Sequence, residues 1–248
     1  MSSIIGLALV LIAAGLLLGL TFIRRKSMPV FRNIPAFTQL KRAIGISVED
    51  GTRLHISLGR SGLQTPEAAP GLAGLAMLRH LSEQTSASDN PPIVTSGAAD
   101  LAILSRDTLQ AGYKAAGAED IYSPATGRLT GLTPFSFAAG AIPSMWDEKV
   151  SSNVLIGHFG PEVALLTDTA ERANSPTVAA TVDPAAQSVL YASVDDPLIG
   201  EELFAAGAYS DAGRAHQASL QVQDILRWGI ILILLIGSAL RLVGFRIF

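Results

Sequence analysis

Three glycine-bearing segments carry the residues best suited to chemistry: Gly59-Arg60-Ser61-Gly62, Thr95-Ser96-Gly97, and Gly157-His158-Phe159-Gly160 with Glu162 two residues on. Each follows a short apolar run and precedes a helix signal. Glycine lets backbone N–H groups approach an anion, and a following helix N-terminus adds favourable partial charge. Arg60 suits a phosphate or carboxylate, and His158 with Glu162 suits acid–base work. The candidate ligand-binding set is therefore Arg60, Ser61, Gly62, Ser96, Gly97, Gly157, His158 and Glu162. A second reading of the same residues is structural, because strand-to-helix turns use Gly and Ser for geometry alone.

The remaining motifs narrow the chemistry. The chain lacks G-x-x-x-x-G-K-[ST], G-x-G-x-x-G and G-x-S-x-G, so it has no P-loop, no dinucleotide fingerprint and no nucleophile elbow. It has no cysteine, which excludes disulfides, thiolate metal sites and cysteine nucleophiles. His55, His80, His158 and His216 are dispersed and form no metal-binding pair, so neither a metal nor a cofactor is expected. The doubled carboxylates Asp195-Asp196 and Glu201-Glu202 flank Pro197 and read as the cap and first turns of a helix over 197–209.

The elements that must position these residues alternate. Apolar runs at Ile93-Val94-Thr95, Val154-Leu155-Ile156 and 177–181 read as buried strands, separated by helical patterns over about 66–84, 100–117, 161–173 and 184–192. Strand cores without polar alternation are covered on both faces, which predicts an open, mainly parallel α/β sheet with helices on both faces, a Rossmann-like arrangement. In such sheets ligands bind beyond the carboxyl ends of the strands, where the three glycine segments would converge. Two local expectations accompany this: a hairpin with strands at 44–48 and 54–58 around Asp50-Gly51, and strand or irregular structure around 135–141.

The 248 residues carry 18 Lys+Arg and 21 Asp+Glu, distributed unevenly. Residues 1–42 hold six basic residues and no acid; residues 43–226 hold nine basic against all 21 acids, a net −12; residues 227–248 hold three basic and no acid. An acidic middle between basic apolar ends is not the pattern of a nucleic-acid binder. Ile4 to Ile23 is a charge-free run of 20 residues followed by Arg24-Arg25-Lys26, and 225–248 is a second apolar segment interrupted by Arg241 and Arg246. Each reads as a membrane helix of about 20 residues. The division expected is an N-terminal anchor with its basic flank at 1–26, a connector at 27–45, a soluble α/β domain at 46–212, and a long helix entering the second anchor at 213–248. The positive-inside rule puts the soluble domain of a double-pass cell-membrane protein in the cytoplasm, while Arg241 and Arg246 run against it. Gly15 and Gly19 form a G-x-x-x-G in the first span, a spacing that lets helix backbones approach closely.

Taken together, the layout resembles uncharacterised bacterial membrane proteins of a domain-of-unknown-function type, with one α/β domain between two terminal spans. The residues carrying the resemblance are Pro92 to Gly97 leading into Asp100 to Gly117, Asn153 to Glu162, and the segment from Asp224 to Phe248. The resemblance implies no reaction and no catalytic residue. The function expected is a membrane-anchored, non-enzymatic scaffold that self-associates in the bilayer. Two alternatives stand beside it: a tethered domain that binds or hydrolyses a small anionic ligand, nucleotide or sugar phosphate, and an accessory subunit of a larger membrane complex.

Overall fold

The structure, a computed structural model, describes residues 2–23, 32–209 and 214–242. The chain forms two compact units, residues 32–212 and the two chain ends, 1–31 with 213–248.

Residues 32–212 build a six-stranded, fully parallel sheet in the order β3-β2-β1-β4-β5-β6. The strands are β1 (Arg53–Gly59), β2 (Ile93–Ser96), β3 (Gly127–Leu129), β4 (Val150–His158), β5 (Thr177–Thr181) and β6 (Leu198–Ile199). Helices follow them in turn: α3 (Ala68–Thr85), α4 (Ala99–Ala115), α5 (Pro134–Trp146), α6 (Val163–Arg172), α7 (Pro184–Ser193) and α8 (Glu202–Tyr209). The first half of the sheet grows outward from β1 to β3. The chain then returns, lays β4 on the free edge of β1, and grows the other way to β6. Direction therefore reverses between β1 and β4.

Strand alternation explains the double covering. On β4, Val154 and Ile156 join a core with Leu40, Leu78, Leu101 and Leu203, whereas Leu155 joins a second core with Phe137, Phe159, Leu166 and Leu190. On β5, Val178 and Ala180 face the first core and Ala179 the second. Both faces of a parallel sheet need apolar cover, so central strands read as continuous apolar runs.

Three local expectations are corrected. Residues Pro35–Glu49 form a helix, α2, and not half of a hairpin. Ala36, Leu40, Ala43 and Ser47 fall on one buried stripe at helical spacing, and Asp50-Gly51, with Gly51 at φ +60°, ends the helix. Phe37 and Leu40 of α2 lie in the first core, within the compact unit that runs from Arg32 to Ala212. Pro134–Trp146 is helical, not extended: Thr133 and Ser136 form a reciprocal capping box and Pro134 occupies the first turn. The 197–209 helix begins only at Glu202, after β6. Asp195 and Asp196 thus do not cap it. Asp196 accepts a hydrogen bond from Gln39 on α2 (2.8 Å), and Glu202 pairs with Arg32.

The two chain ends supply α1 (Ser2–Ile23) and α9 (Arg214–Leu242), which pack against each other. Of the two expected spans, one helix among the described residues is long and apolar enough to cross a membrane: His216–Leu242, 27 residues. At about 1.5 Å per residue it reaches about 40 Å, beyond the ~30 Å hydrocarbon core. The first expected span is an apolar helix whose described side chains, Gly6–Phe22, cover 17 residues. A Cβ built on Gly15 or Gly19 meets no atom within 4 Å, so the G-x-x-x-G pair is not the seam between α1 and α9. Arg241 is an exposed residue in the last turn of α9. Arg24, Arg25, Lys26 and Arg246 lie outside the described residues.

Candidate functional site

The reversal falls between β1 and β4, and at their carboxyl ends the following loops depart in opposite directions, the place where sheets of this kind form a ligand crevice. Two of the three glycine-bearing loops lie here and the third, after β2, adjoins them. Arg60 N–H donates to the His158 carbonyl (2.9 Å), and Gly97 N–H donates to the Gly59 carbonyl (2.8 Å). The segments after β1, β2 and β4 are thereby tied into one surface.

Across that surface lies an ion pair. Arg60 Nε donates to Glu162 Oε1 at 2.5 Å. The Glu162 side chain is 2% exposed and that of Arg60 is 22% exposed. Gly160 N–H donates to the same carboxylate oxygen at 3.0 Å. Burial pushes the Glu162 carboxyl up, but the Gly160 N–H and the Arg60 guanidinium outweigh it and hold the group below the usual carboxylate range. A carboxylate held ionised in this way is poorly placed to shuttle protons.

The glycines of these loops have structural reasons to be glycine. Gly59 has φ +71°, and a Cβ there would stand 2.2 Å from the His158 carbonyl oxygen. A Cβ on Gly157 would stand 2.1 Å from the Leu58 carbonyl oxygen. β1 and β4 therefore approach each other closely only because both positions lack a side chain. A Cβ on Gly97 would meet Arg60 Cγ at 2.6 Å, and one on Gly160 would meet Glu162 Oε2 at 2.5 Å. The space that glycine leaves over these loops is filled by the protein's own ion pair.

The remaining candidates divide. Ser61 is buried, and its Oγ, unpartnered among the described residues, stands 2.8 Å from a Cβ built on Gly71 of α3. Gly62 lies beside Asp100, which accepts a hydrogen bond from Leu63 N–H (2.6 Å) and so ties the β1 loop to α4. Ser96 is buried and its carbonyl accepts from Thr130 N–H (3.0 Å). His158 makes its described contact through the backbone, and its Nδ1 is buried without a partner among the described residues. No group of three or more His, Asp or Glu among the described residues is arranged to hold a metal ion.

A second polar feature has no signature in sequence spacing. His55, fully buried on β1, sits between Asn153 of β4 (Nδ1 to Oδ1, 3.0 Å) and Thr95 of β2 (Nε2 to Oγ1, 2.9 Å). The amide oxygen can only accept, so Nδ1 carries the proton and the Thr95 hydroxyl donates to Nε2. Asn153 Nδ2 continues the chain to Ser175 Oγ (2.9 Å). Desolvation by burial lowers the His55 pKa to about 4, a hydrogen bond with Asn153 opposes this, and the charge of Arg128 adds to it. A neutral histidine thus fastens three adjacent strands. The signal that would find it is the parallel register, which sets His55 beside Asn153 across the sheet.

A cleft of about 450 Å³ opens elsewhere in the domain, beside β6, lined in part by Arg32, Tyr191, Asp195 and Glu202. Its Glu202 carboxylate is already engaged by Arg32 and by Ile199 N–H (3.3 Å).

Fold and site define a doubly wound α/β domain of Rossmann strand order, joined to a helix able to cross a membrane, with an internal ion pair in its switch-point crevice. The chain belongs to a family of the domain-of-unknown-function type, DUF6754, whose model matches residues 2–248. No curated protein and no solved structure matches it.

Proposed function

We propose that this protein is a membrane-anchored, non-enzymatic scaffold that self-assembles through its α/β domain and its membrane helices. The observation that carries the reading is the state of the crevice. The one carboxylate suited to acid–base work, Glu162, is buried and held ionised by Arg60 and Gly160 N–H. The glycines that would admit a large ligand are covered by that pair. Assembly in the bilayer is supported by Gly15 and Gly19, whose open faces suit another helix, such as that of a second copy. On this reading α1 and α9 both cross the membrane, and the basic residues after α1 keep the acidic domain at the cytoplasmic face.

Native mass spectrometry of the full chain in mild detergent tests the assembly. A strict monomer at every concentration sinks it, as does an oligomer unchanged by Gly15→Leu with Gly19→Leu if the membrane helices are its seam. The cysteine-free sequence makes topology directly measurable: Ser188→Cys, on an exposed position of α7, should resist a membrane-impermeant maleimide until the cells are opened. A second reading, an accessory subunit of a larger membrane complex, is favoured by Leu132 and Phe135, each 71% exposed beside the β3 edge. A pull-down in mild detergent that recovers this chain alone counts against it.

A further inference from the structure

We infer that the crevice between β1 and β4 is a binding site for a small oxyanion of the phosphate class, taken by the free end of the Arg60 guanidinium. Such a site goes beyond the scaffold role and does not depend on it.

A guanidinium carries five N–H donors in a planar fork. Among the described residues Nε alone has a partner, Glu162 Oε1. The Nη1 and Nη2 groups have none there. They belong to a side chain that is more than three-quarters buried, yet neither is sealed from solvent. An arginine whose only role were to neutralise Glu162 would be expected to offer the carboxylate two parallel N–H bonds. Here one N–H is committed to Glu162, and the Nη donors are left without a protein partner among the described residues.

The surroundings fit a compact anion and exclude a bulky one. The Arg60 stem lies over Gly97, and Nη2 stands 3.4 Å from a Cβ built on Gly160 with Glu162 Oε2 at 2.5 Å, so the pair itself fills the space over both glycines and leaves none there for a bulky ligand. The N-terminus of α4 opens just after Gly97 but is already served by a carboxylate: Asp100, in its first turn, accepts from Leu101 N–H (2.8 Å) and Leu63 N–H (2.6 Å), so the guanidinium alone would hold the anion. Phosphate geometry matches the Nη1–Nη2 fork, whereas a dinucleotide would need the space that Arg60 itself fills. Glu162 has two opposed effects. It fixes the guanidinium plane, and its negative charge weakens anion binding. Removing the charge while keeping the shape should therefore strengthen binding, an outcome that a purely structural ion pair does not produce.

The test uses the full chain in detergent with inorganic phosphate as the probe, at constant ionic strength, read by melting temperature and by isothermal calorimetry. Wild type should show a melting-temperature rise that saturates with phosphate, since a ligand bound only by the folded state stabilises it. Glu162→Gln should bind about tenfold more tightly, the size of an effect expected from removing one charge a few ångströms away in a partly screened site. Arg60→Gln alone leaves a buried carboxylate unpaired and endangers folding. The double variant Arg60→Gln with Glu162→Gln keeps a neutral, hydrogen-bond-capable pair and should show no phosphate response. No response in either wild type or Glu162→Gln overturns the inference, and so does a response retained in the double variant. Both readouts are independent of oligomer mass, so failure here leaves the scaffold reading to its own test.

Discussion

Acidification from neutral pH to about pH 5 should selectively weaken the α/β domain through His55. The ordinary histidine pKa is 6.5, and burial lowers that of His55 to about 4 in the folded protein. The unfolded chain therefore binds a proton near pH 6.5, while the folded chain resists it until the pH falls through about 4. Stability from this source is fully present above the unfolded value and is lost as the pH drops through the interval. Displacing a pKa by one pH unit is worth about 1.4 kcal/mol. The whole interval thus contributes about 3 kcal/mol, and about 2 kcal/mol should be gone by about pH 5. Glu162, held below the usual carboxylate range, adds its own loss only at lower pH. Guanidinium unfolding of the full chain in detergent, followed by circular dichroism at a series of pH values, measures this. The control is His55→Gln, which removes the titrating group and can still hydrogen-bond. Its starting stability is irrelevant; its slope against pH is the readout. Wild type should lose stability more steeply than the variant between about pH 7 and about pH 5. Equal slopes would refute the assignment of a buried, neutral His55 between Asn153 and Thr95.

The same geometry sets the outcome of three substitutions. Arg60→Ala should destabilise the domain by roughly 3–5 kcal/mol, because it leaves the buried Glu162 charge uncompensated; urea titration checks it, and Arg60→Ala with Glu162→Ala together should cost less than the single change. Gly157→Ala should destabilise by several kcal/mol, since its methyl would fall 2.1 Å from the Leu58 carbonyl and push the two central strands apart; a loss under about 0.5 kcal/mol, the range of a bland surface change, would contradict the close approach. Phe137→Ala, at a fully buried site against Phe159 with ring centroids 6.2 Å apart, should cost about 3–5 kcal/mol in thermal or chemical unfolding.

A good part of this protein is determined by its sequence alone. The apolar runs at 93–95, 154–156 and 177–181 are strands, and the alternation of strand and helix signals yields an α/β sheet covered on both faces. These features are local and periodic, so one sequence suffices to read them. The position of the glycine-bearing loops after strands marks the segments that meet, and Arg60 and Glu162 both stand among the candidates there.

Other features depend on contacts between residues far apart in the chain. The apolar spacing of α2 near 44–48 fits a short strand as well as a helix; burial of Phe37 and Leu40 against the sheet decides between them. The Pro, Gly and Phe content of Pro134–Trp146 hides a helix, whose start is set by the capping box at Thr133 and Ser136. Strand order is invisible to periodicity, and it alone puts the crevice between β1 and β4. The pairing of Arg60 with Glu162 spans 102 residues and that of His55 with Asn153 spans 98. Residue type fixes what a side chain is able to do. Register and close packing decide which partner it meets, and here they turn two candidate ligand-binding groups into an ion pair and an isolated histidine into a clasp across three strands.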